Sequence, residues 1–495
     1  MNEPWWQRAT VYQVYPRSFA DSNGDGVGDL RGLISKLDYL AALGIDVVWV
    51  SPFFTSPQHD NGYDISDYQG IDPVFGTLDD FDELVAGLHA RGMKLMTDVV
   101  VNHSSDEHPW VVESRSSVDN PKRDWYWWRP ARPGATAGDP GAEPTNWESS
   151  FSGPTWTLDE TTGEYYLHIF AKQQPDLNWE NPEVRQAVAE MLRWWLDRGV
   201  DGFRMDVINL ISKHLPLSDG PTRPGKTYGN GRGQYINGPR IHEFLHELNH
   251  EITAGRDRVL MTVGEMPGVT ITEAVLFTDP DRAEVDMVFQ FEHMGVDHGP
   301  DGRFDARPMR LADLTASFDK WQQALATSGW NSLYWCNHDQ PRPVSRFGSD
   351  DPAHRVASAK ALATVLHLQR GTPYVYQVEE LGMTNYPWQS TDEFQDVESI
   401  NHHCYALEAG ESDADILGAL RQRSRDNART PMQWSADEHA GFTTGTPWMP
   451  VNPNHSEINA EAQVDDPDSV FHHYRKLIAL RHELDVVTHG DFTLL

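Results

Sequence analysis

The sequence predicts an α/β fold, a closed (β/α)₈ barrel of the TIM type with one inserted subdomain after its third strand. Three observations predict it: a recurring helix–glycine–strand unit, eight short apolar strand candidates, and a single interval where that rhythm fails.

The unit appears in LRGLISKLDYLAAL, which runs into Gly44 and then DVVWVSP. It recurs as FDELVAGLHAR, Gly92 and KLMTDVVVNH; as VRQAVAEMLRWWLDR, Gly199 and GFRMDVI; and as AKALATVLHLQR, Gly371 and TPYVYQ. In each helix, apolar residues recur at spacings of three and four, and the strand that follows is a short β-branched run. Glycine just past a helix takes the left-handed position that residues with a Cβ resist. Pro182 after Asn181 supplies the matching start signal. VYQVYPRSF, LMTVGEM, VDMVFQFE and NSLYWCNHD complete eight strands. Near-continuous apolar strands alternating with helices form parallel sheets covered on both faces, and eight of them close into a barrel.

Between His103 and about Lys172 no helical period survives. Pro/Gly clusters and the aromatics Trp125, Trp127, Trp128, Trp147, Trp156, Tyr165 and Tyr166 predict an irregular β-containing insertion, whose aromatics mostly form its own small core. The expected organisation is therefore barrel over 1–103, insertion over 104–172, barrel over 173–480, and the start of a C-terminal β-domain over 481–495. The interval from about 382 to 450 is predicted as loops and short helices.

Composition excludes several functions. With 74 acidic against 40 basic residues the formal charge is −34, which repels nucleic acid and anionic membranes. No apolar stretch reaches the roughly 20 residues of a membrane span. The opening Met1-Asn2-Glu3-Pro4-Trp5 lacks the regions of a signal peptide, so a cytoplasmic protein is expected. Cys336 and Cys404, the only cysteines, imply no disulfide framework.

Barrel enzymes carry their chemistry at the C-terminal ends of the strands. There the sequence places Asp98, Asn102 and His103 on strand three, Arg204 and Asp206 on four, Glu265 on five, and His338 and Asp339 on seven. Any one of these could merely cap a loop; four carboxylates at one mouth are costly unless used. Glycoside cleavage needs such a pair, one ionised at the anomeric carbon and one protonated toward the leaving oxygen. Arg204, two residues before Asp206, shares its side of the sheet and suits it as an ionised nucleophile. Glu265, between Val263 and Met266-Pro267, has the drier surroundings that suit an acid.

DVVVNH (98–103), GFRMDVIN (202–209), VGEM (263–266) and CNHDQPR (336–342) resemble the four signature regions of the α-amylase family of glycoside hydrolases, and QPDLNW (174–179) its fifth. The resemblance implies Asp206 as nucleophile, Glu265 as acid/base and Asp339 as transition-state stabiliser. It implies that Tyr63, Asp98, His103, Arg204 and His338 line the subsite of the transferred glucose. Asp60 and Arg425, in QHDNGYD and SRDNARTPMQW, match a pair closing the non-reducing end, which makes the enzyme exo-acting. Val207 matches a position where valine accompanies α-1,6 specificity. The implied activity is retaining hydrolysis of short α-glucosides, with trehalose-6-phosphate hydrolysis or broad α-glucosidase and transglucosylase activity as alternatives. The implied partner is a small oligosaccharide or glucoside. A catalytically dead binding barrel is disfavoured, because all three carboxylates are present.

Two positions depart from the family pattern. Val275 stands where a lysine touching the leaving sugar is frequent, and Val378 where glycine is usual. A β-branched residue resists positive φ, so the loop after strand eight is expected to differ locally.

Asp21-Ser-Asn-Gly-Asp-Gly-Val-Gly-Asp29 predicts a structural Ca²⁺ (or Mg²⁺) loop, with Asp21, Asn23, Asp25, the Val27 carbonyl and Asp29 as ligands. The twelfth position is Gly32 instead of glutamate. His402-His403 lacks further ligands at suitable spacing and is assigned no metal. The resembled family continues into a β-domain where this sequence stops, so that domain is expected to be truncated or missing.

Overall fold

The computed structural model describes residues 3–257 and 259–494. Eight parallel strands form the barrel: β1 (Val11–Val14), β2 (Val47–Val50), β3 (Lys94–Val99), β4 (Gly202–Met205), β5 (Met261–Glu265), β6 (Met287–Phe289), β7 (Ser332–Tyr334) and β8 (Thr372–Tyr376). Each predicted strand segment contains one of them. Between β6 and β7 the ring closes through the bridge Val288↔Asn331 and the bond from Ser332 Oγ to the Val288 carbonyl, 2.7 Å.

The two-residue period decides what each strand residue faces. Val47, Trp49, Met96, Met261, Val263, Met287 and Phe289 fill the barrel interior, whereas Val48, Val50, Leu95, Phe203 and Val288 pack outward under the helices. Gly202 keeps β4 tight against β5: a Cβ there would meet the Met261 carbonyl oxygen at 2.4 Å. Helix starts follow local chemistry. Thr77 and Asp80 form a reciprocal capping box on Leu78–Ala90, and Asn181 caps Pro182–Asp197 with proline at the first turn. Gly199, at φ 107°, turns the chain from that helix toward β4.

The insertion after β3 carries a three-stranded antiparallel sheet, Trp128–Arg129, Glu164–Leu167 and Trp156–Asp159 in that spatial order. Trp127, Trp147, Trp156 and Tyr165 are buried together, and the same cluster includes Val207, Leu210 and Tyr235 from the segment after β4. Trp125 and Trp128 join the main core instead. The insertion thus shares a core with the residues that follow Asp206. After β8 come the helices Val397–Glu408, Asp413–Arg423 and Asp426–Arg429 with short 3₁₀ turns.

Two expectations are corrected. Residues 481–494 contain no strand; the helices Val470–Glu483 and Asp485–His489 occupy this stretch. Arg481 explains why the first helix belongs to the barrel: it is buried and donates to the carbonyls of His367 and Gln369 at 2.7 and 2.9 Å, below β8. The boundary at 480 therefore cuts a barrel helix. Val378 also adopts the conformation thought closed to it, φ 73° and ψ −8°. The turn is over-determined: Leu381 and Met383 donate to the Val378 carbonyl, Arg342 holds the Gln377 carbonyl at 2.9 Å, and the valine side chain is fully buried.

Candidate active site

The site forms around Arg204. Parallel register sets Arg204 of β4 directly beside Asp98 of β3, and the two-residue period places Asp206 on the same side. Arg204 Nη1 lies 2.6 Å from both Asp98 Oδ1 and Asp206 Oδ1, and Nη2 lies 2.8 Å from Glu265 Oε2. Three carboxyls therefore share one fully buried guanidinium. Trp49 Nε1 donates to Asp98 Oδ2 at 2.7 Å, which fixes that carboxylate from behind.

Their protonation follows from burial against this single charge. Burial pushes Asp206 up to about 6 while Arg204 pulls the other way, so Asp206 is largely ionised at neutral pH. Asp98 is likewise raised to about 6 by burial, with Arg204 opposing. Glu265 is pushed up to about 8 by burial, again with Arg204 opposing and Asp206 and Asp339 adding repulsion, so it holds its proton at neutral pH. One guanidinium cannot hold every carboxyl ionised, and Glu265, which burial raises furthest, stays neutral.

Val207 joins the nucleophile candidate to the acid candidate. Its φ of 35° and ψ of 38° aim its N–H at Glu265 Oε2, 3.1 Å away. A left-handed valine is strained, at a cost of roughly 1–3 kcal/mol. Its side chain is anchored in the insertion's core and also faces the cavity.

Asp339 has a different environment. Arg429 Nη2 lies 3.0 Å and Arg425 Nη1 3.2 Å from Oδ1, and His338 Nε2 lies 3.2 Å from Oδ2. Burial would raise this carboxyl, but the permanent charges of Arg425 and Arg429 hold it far below the usual range. His338 is itself kept neutral, lowered to about 3 by burial. Gln13 Nε2 is 2.9 Å from Nδ1 and, as the donor there, places the ring proton on Nε2. Tyr63 stacks on His338 with centroids 4.9 Å apart and planes 3° apart. His103 Nε2 bonds the Tyr63 carbonyl at 3.0 Å.

Arg425 closes one end. Its Nη2 reaches Asp60 Oδ1 at 2.9 Å and Asp396 Oδ1 at 2.5 Å. Together these groups enclose a cavity of about 350 Å³ whose wall includes Asp60, Tyr63, His103, Asp206, Val207, Glu265, Asp339 and Arg425. Asp98, Arg204 and His338 stand directly behind that wall. All eleven expected catalytic and sugar-binding residues thus meet in one place.

The comparisons with known proteins agree with this geometry. Residues 13–490 match the family model described as alpha amylase, catalytic domain. The chain belongs to the α-amylase family. It is 58% identical over 496 residues to an oligo-1,6-glucosidase of Parageobacillus thermoglucosidasius, covering 100% of this chain and 86% of that protein. It is 50% identical over 493 residues to a trehalose-6-phosphate hydrolase of Bacillus subtilis (strain 168), covering 99% and 85%. A crystal structure of Bacillus licheniformis trehalose-6-phosphate hydrolase superposes with TM-score 0.93 at 48% identity, covering 100% and 86%.

The sequence reading missed several residues of the site. Gln174 Nε2 lies 3.1 Å from Asp60 Oδ2 and 3.1 Å from His103 Nε2, and Lys213 pairs with Asp176 at 2.9 Å in full burial, tying the fifth region to the segment after β4. Gln174 and Asp176 stand in QPDLNW, and Arg429 stands one helical turn beyond Arg425, so the motifs already held them. Phe151, Phe170, Arg232, Arg303 and Glu398 also line the cavity but fall in no motif. Arg303, on the hairpin His298–Gly299/Gly302–Ala306 after β6, bonds both the Asp339 carbonyl and Glu398. Val275 lies away from the cavity: it sits on the helix Ile271–Thr278, packed against the main core.

The Asp21–Asp29 loop wraps as its glycines predict, with Gly24 and Gly26 at φ 82° and 93°. Asp21 accepts from Asn23, Gly24 and Gly26 N–H, Asp25 accepts from Val27 N–H at 2.8 Å, and Asp29 caps the helix Leu30–Ser35 through Gly32 N–H at 2.7 Å. Among the described residues no three His, Cys, Asp or Glu side chains converge on a metal position, so a cation there needs Asn23 and the Val27 carbonyl as well. No helix among the described residues is long and apolar enough to cross a membrane.

Proposed function

We propose that this chain is a retaining, exo-acting α-glucosidase that hydrolyses short α-glucosides, chiefly the α-1,6 bonds of isomalto-oligosaccharides. One observation carries the reading: two carboxyls of opposite protonation, Asp206 and Glu265, meet on Arg204 at the floor of a cavity that Asp60 and Arg425 close at one end. Sharing a guanidinium holds the two carboxyls beside each other, as attack by one and protonation by the other require.

In this mechanism Asp206 attacks the anomeric carbon as Glu265 gives its proton to the departing glycosidic oxygen. The products are a glucosyl ester on Asp206 and a free leaving sugar. Glu265, now a carboxylate, takes a proton from water, whose oxygen attacks the anomeric carbon and returns Asp206 to its ionised form. Asp339, held ionised, accepts hydrogen bonds from the glucose hydroxyls, with Tyr63 as the platform beneath and His338 stacked behind it. Val207 narrows the space beside Asp206 on the leaving-group side and favours the slimmer α-1,6 linkage. The name of the relative from Parageobacillus supports that linkage.

Turnover on isomaltose, maltose, sucrose and trehalose-6-phosphate decides the reading. Isomaltose is expected to be cleaved best; weak turnover of it beside strong turnover of another substrate overturns the α-1,6 assignment.

The loop Asp21–Asp29 is proposed to hold a structural Ca²⁺ (or Mg²⁺). Its donors are hard oxygens only, and Thr443 and three backbone N–H groups already hold Asp21 ionised against its burial. A drop in Tm on chelation, reversed by calcium, is the expected result. Free thiols at Cys336 and exposed Cys404 suit a reducing compartment, in line with a cytoplasmic location.

A further inference from the structure

The two carboxyl oxygens of Glu265 are not equivalent. Oε2 lies 2.8 Å from Arg204 Nη2 and accepts the Val207 N–H at 3.1 Å. Donors gathered on one oxygen leave the hydrogen of the neutral carboxyl to the other, here Oε1. Arg204 reaches Glu265 from a strand, where parallel register fixes its direction. Val207 reaches it from a left-handed position past the end of β4, and that strained conformation has to be held by its surroundings.

The hold lies one turn further on. Asn209 is fully buried, and its Nδ2 donates to the Pro267 carbonyl at 3.1 Å and to Asn237 Oδ1 at 2.9 Å. Pro267 follows Glu265 closely, so the first bond ties the turn after β4 directly to the turn after β5. The Asn237 N–H returns a bond to the Asn209 carbonyl at 2.9 Å. Leu210 N–H closes the turn on the Val207 carbonyl at 2.9 Å. Lys213 Nζ, 2.9 Å from Asp176 Oδ2, holds the Leu210 carbonyl at 3.1 Å. Asn209, Asn237 and Lys213 stand outside the cavity wall, so they act only through the turn.

We infer that Asn209 is a positioning residue for the acid step: by joining the turn after β4 to Pro267, it holds the Val207 N–H on Glu265 Oε2 and keeps the hydrogen of the acid on Oε1. The inference deepens the proposed mechanism and rests on Glu265 as its acid; it does not depend on which linkage is cleaved. Glu265 is faced by Arg204 and Asp206 from β4 and its turn, by Asp98 from β3, and by Tyr334 and Asp339 from β7 and its loop. Replacing Asn209 leaves all of these in place and frees only the Val207 N–H. That N–H favours the carboxylate, so its loss raises the pH at which Glu265 gives up its proton from about 8.

The test measures kcat and kcat/KM against pH on the best-cleaved disaccharide, in the wild type, Asn209→Leu, Asn237→Gly and Glu265→Gln. Asn209→Leu keeps the side-chain size and removes both donated bonds. Asn237→Gly removes only the acceptor that orients Asn209, and glycine suits its φ of 50°, so this variant spares the fold. Asn209→Leu is expected to move the alkaline limb up by about one pH unit, the worth of one hydrogen bond to a charge. Its kcat should fall about 10-fold, with the acid limb still near 6 and KM little changed. Asn237→Gly should move the limb the same way by less. An unmoved alkaline limb in folded Asn209→Leu overturns the role of Asn209; where that variant does not fold, an unmoved limb in Asn237→Gly does so. Movement of both limbs together also overturns it, because that marks a general loosening of the site. If the alkaline limb survives Glu265→Gln, Glu265 is not the acid, and the proposed mechanism falls together with this inference. If Glu265→Gln removes the limb while the asparagine variants leave it in place, the mechanism stands and the inference alone falls.

Discussion

The two halves of the cavity are built on different principles. Around the glucose to be transferred, every carboxyl is answered and all but the partly exposed Asp339 are buried: Asp98, Asp206 and Glu265 by Arg204, Asp339 by Arg429 and Arg425, Asp60 by Arg425. On the rest of the cavity wall stand Val207, Arg232 and the hairpin whose Arg303 bonds Glu398 and the Asp339 carbonyl. The first half is a closed electrostatic network in which no member changes without stranding another. The second is a set of separate contacts. Chemistry is thus fixed by coupling, while specificity is left to residues that vary one at a time.

The largest expected effect comes from breaking the coupled half at its centre. Asp206→Asn should lower kcat by about 10⁴-fold or more with the fold retained, since it removes the nucleophile from a group acting as a unit. Glu265→Gln should lower kcat nearly as far and change the pH profile. Asp206 works ionised, so kcat/KM should fall as pH drops below about 6. Glu265 works protonated, so it should fall again as pH rises above about 8. The glutamine variant has no proton to lose and should lack the alkaline limb; an unchanged limb would reassign the acid.

Arg425→Ala tests whether that half depends on its far end. The change strands Asp60 in burial, leaves Asp396 with Arg429 alone at 3.4 Å, and removes one of the cations on Asp339. Losing one partner of a buried ion pair costs about 3–5 kcal/mol. A clear fall in Tm is expected, with kcat/KM reduced by about 10²-fold or more. A variant with wild-type Tm would mean that the network is less coupled than its geometry.

The same contrast explains what could be read without coordinates. The glucose-binding half was legible because its residues sit at the ends of barrel strands, where a two-residue period and a parallel register fix direction: Arg204 had to face Asp98 and Asp206. Gln174 and Arg429 lay inside motifs already singled out, and only their partners were unknown. Arg232 and Arg303 were illegible, because they come from irregular segments brought to the cavity by tertiary packing. Val378 misled because intrinsic preference argues against positive φ, whereas a buried turn held by Arg342 and its own hydrogen bonds enforces it. The final helix misled in a similar way. Its place in the barrel depends on Arg481 reaching carbonyls more than a hundred residues away.

A milder break is available in the separable half. Arg303→Gln gives up the ion pair to Glu398 and weakens the tie to the Asp339 carbonyl. Tm should fall by less than for Arg425→Ala, because Glu398 keeps Arg425 at 3.6 Å as a second cation. The hairpin wall should loosen, raising KM for disaccharides about 10-fold while kcat changes less. If kcat falls instead with KM unchanged, Arg303 acts through Asp339 and belongs to the coupled half.

The smallest and most informative change is Val207→Ala, at the boundary between the halves. The valine backbone serves the chemistry by presenting its N–H to Glu265, and its side chain lines the cavity beside Asp206. Alanine keeps the N–H and fits a left-handed conformation better than a β-branched residue, so kcat on the best substrate should change little. Removing two methyl groups widens the leaving-group space, and one or two methyl groups discriminate by about 10- to 200-fold at most in an apolar pocket. The ratio of α-1,6 to α-1,4 turnover, measured on isomaltose and maltose, is therefore expected to fall several-fold through a gain on maltose. A loss on both substrates with the ratio unchanged would place the role of Val207 in the backbone alone and return linkage choice to the hairpin and Arg232.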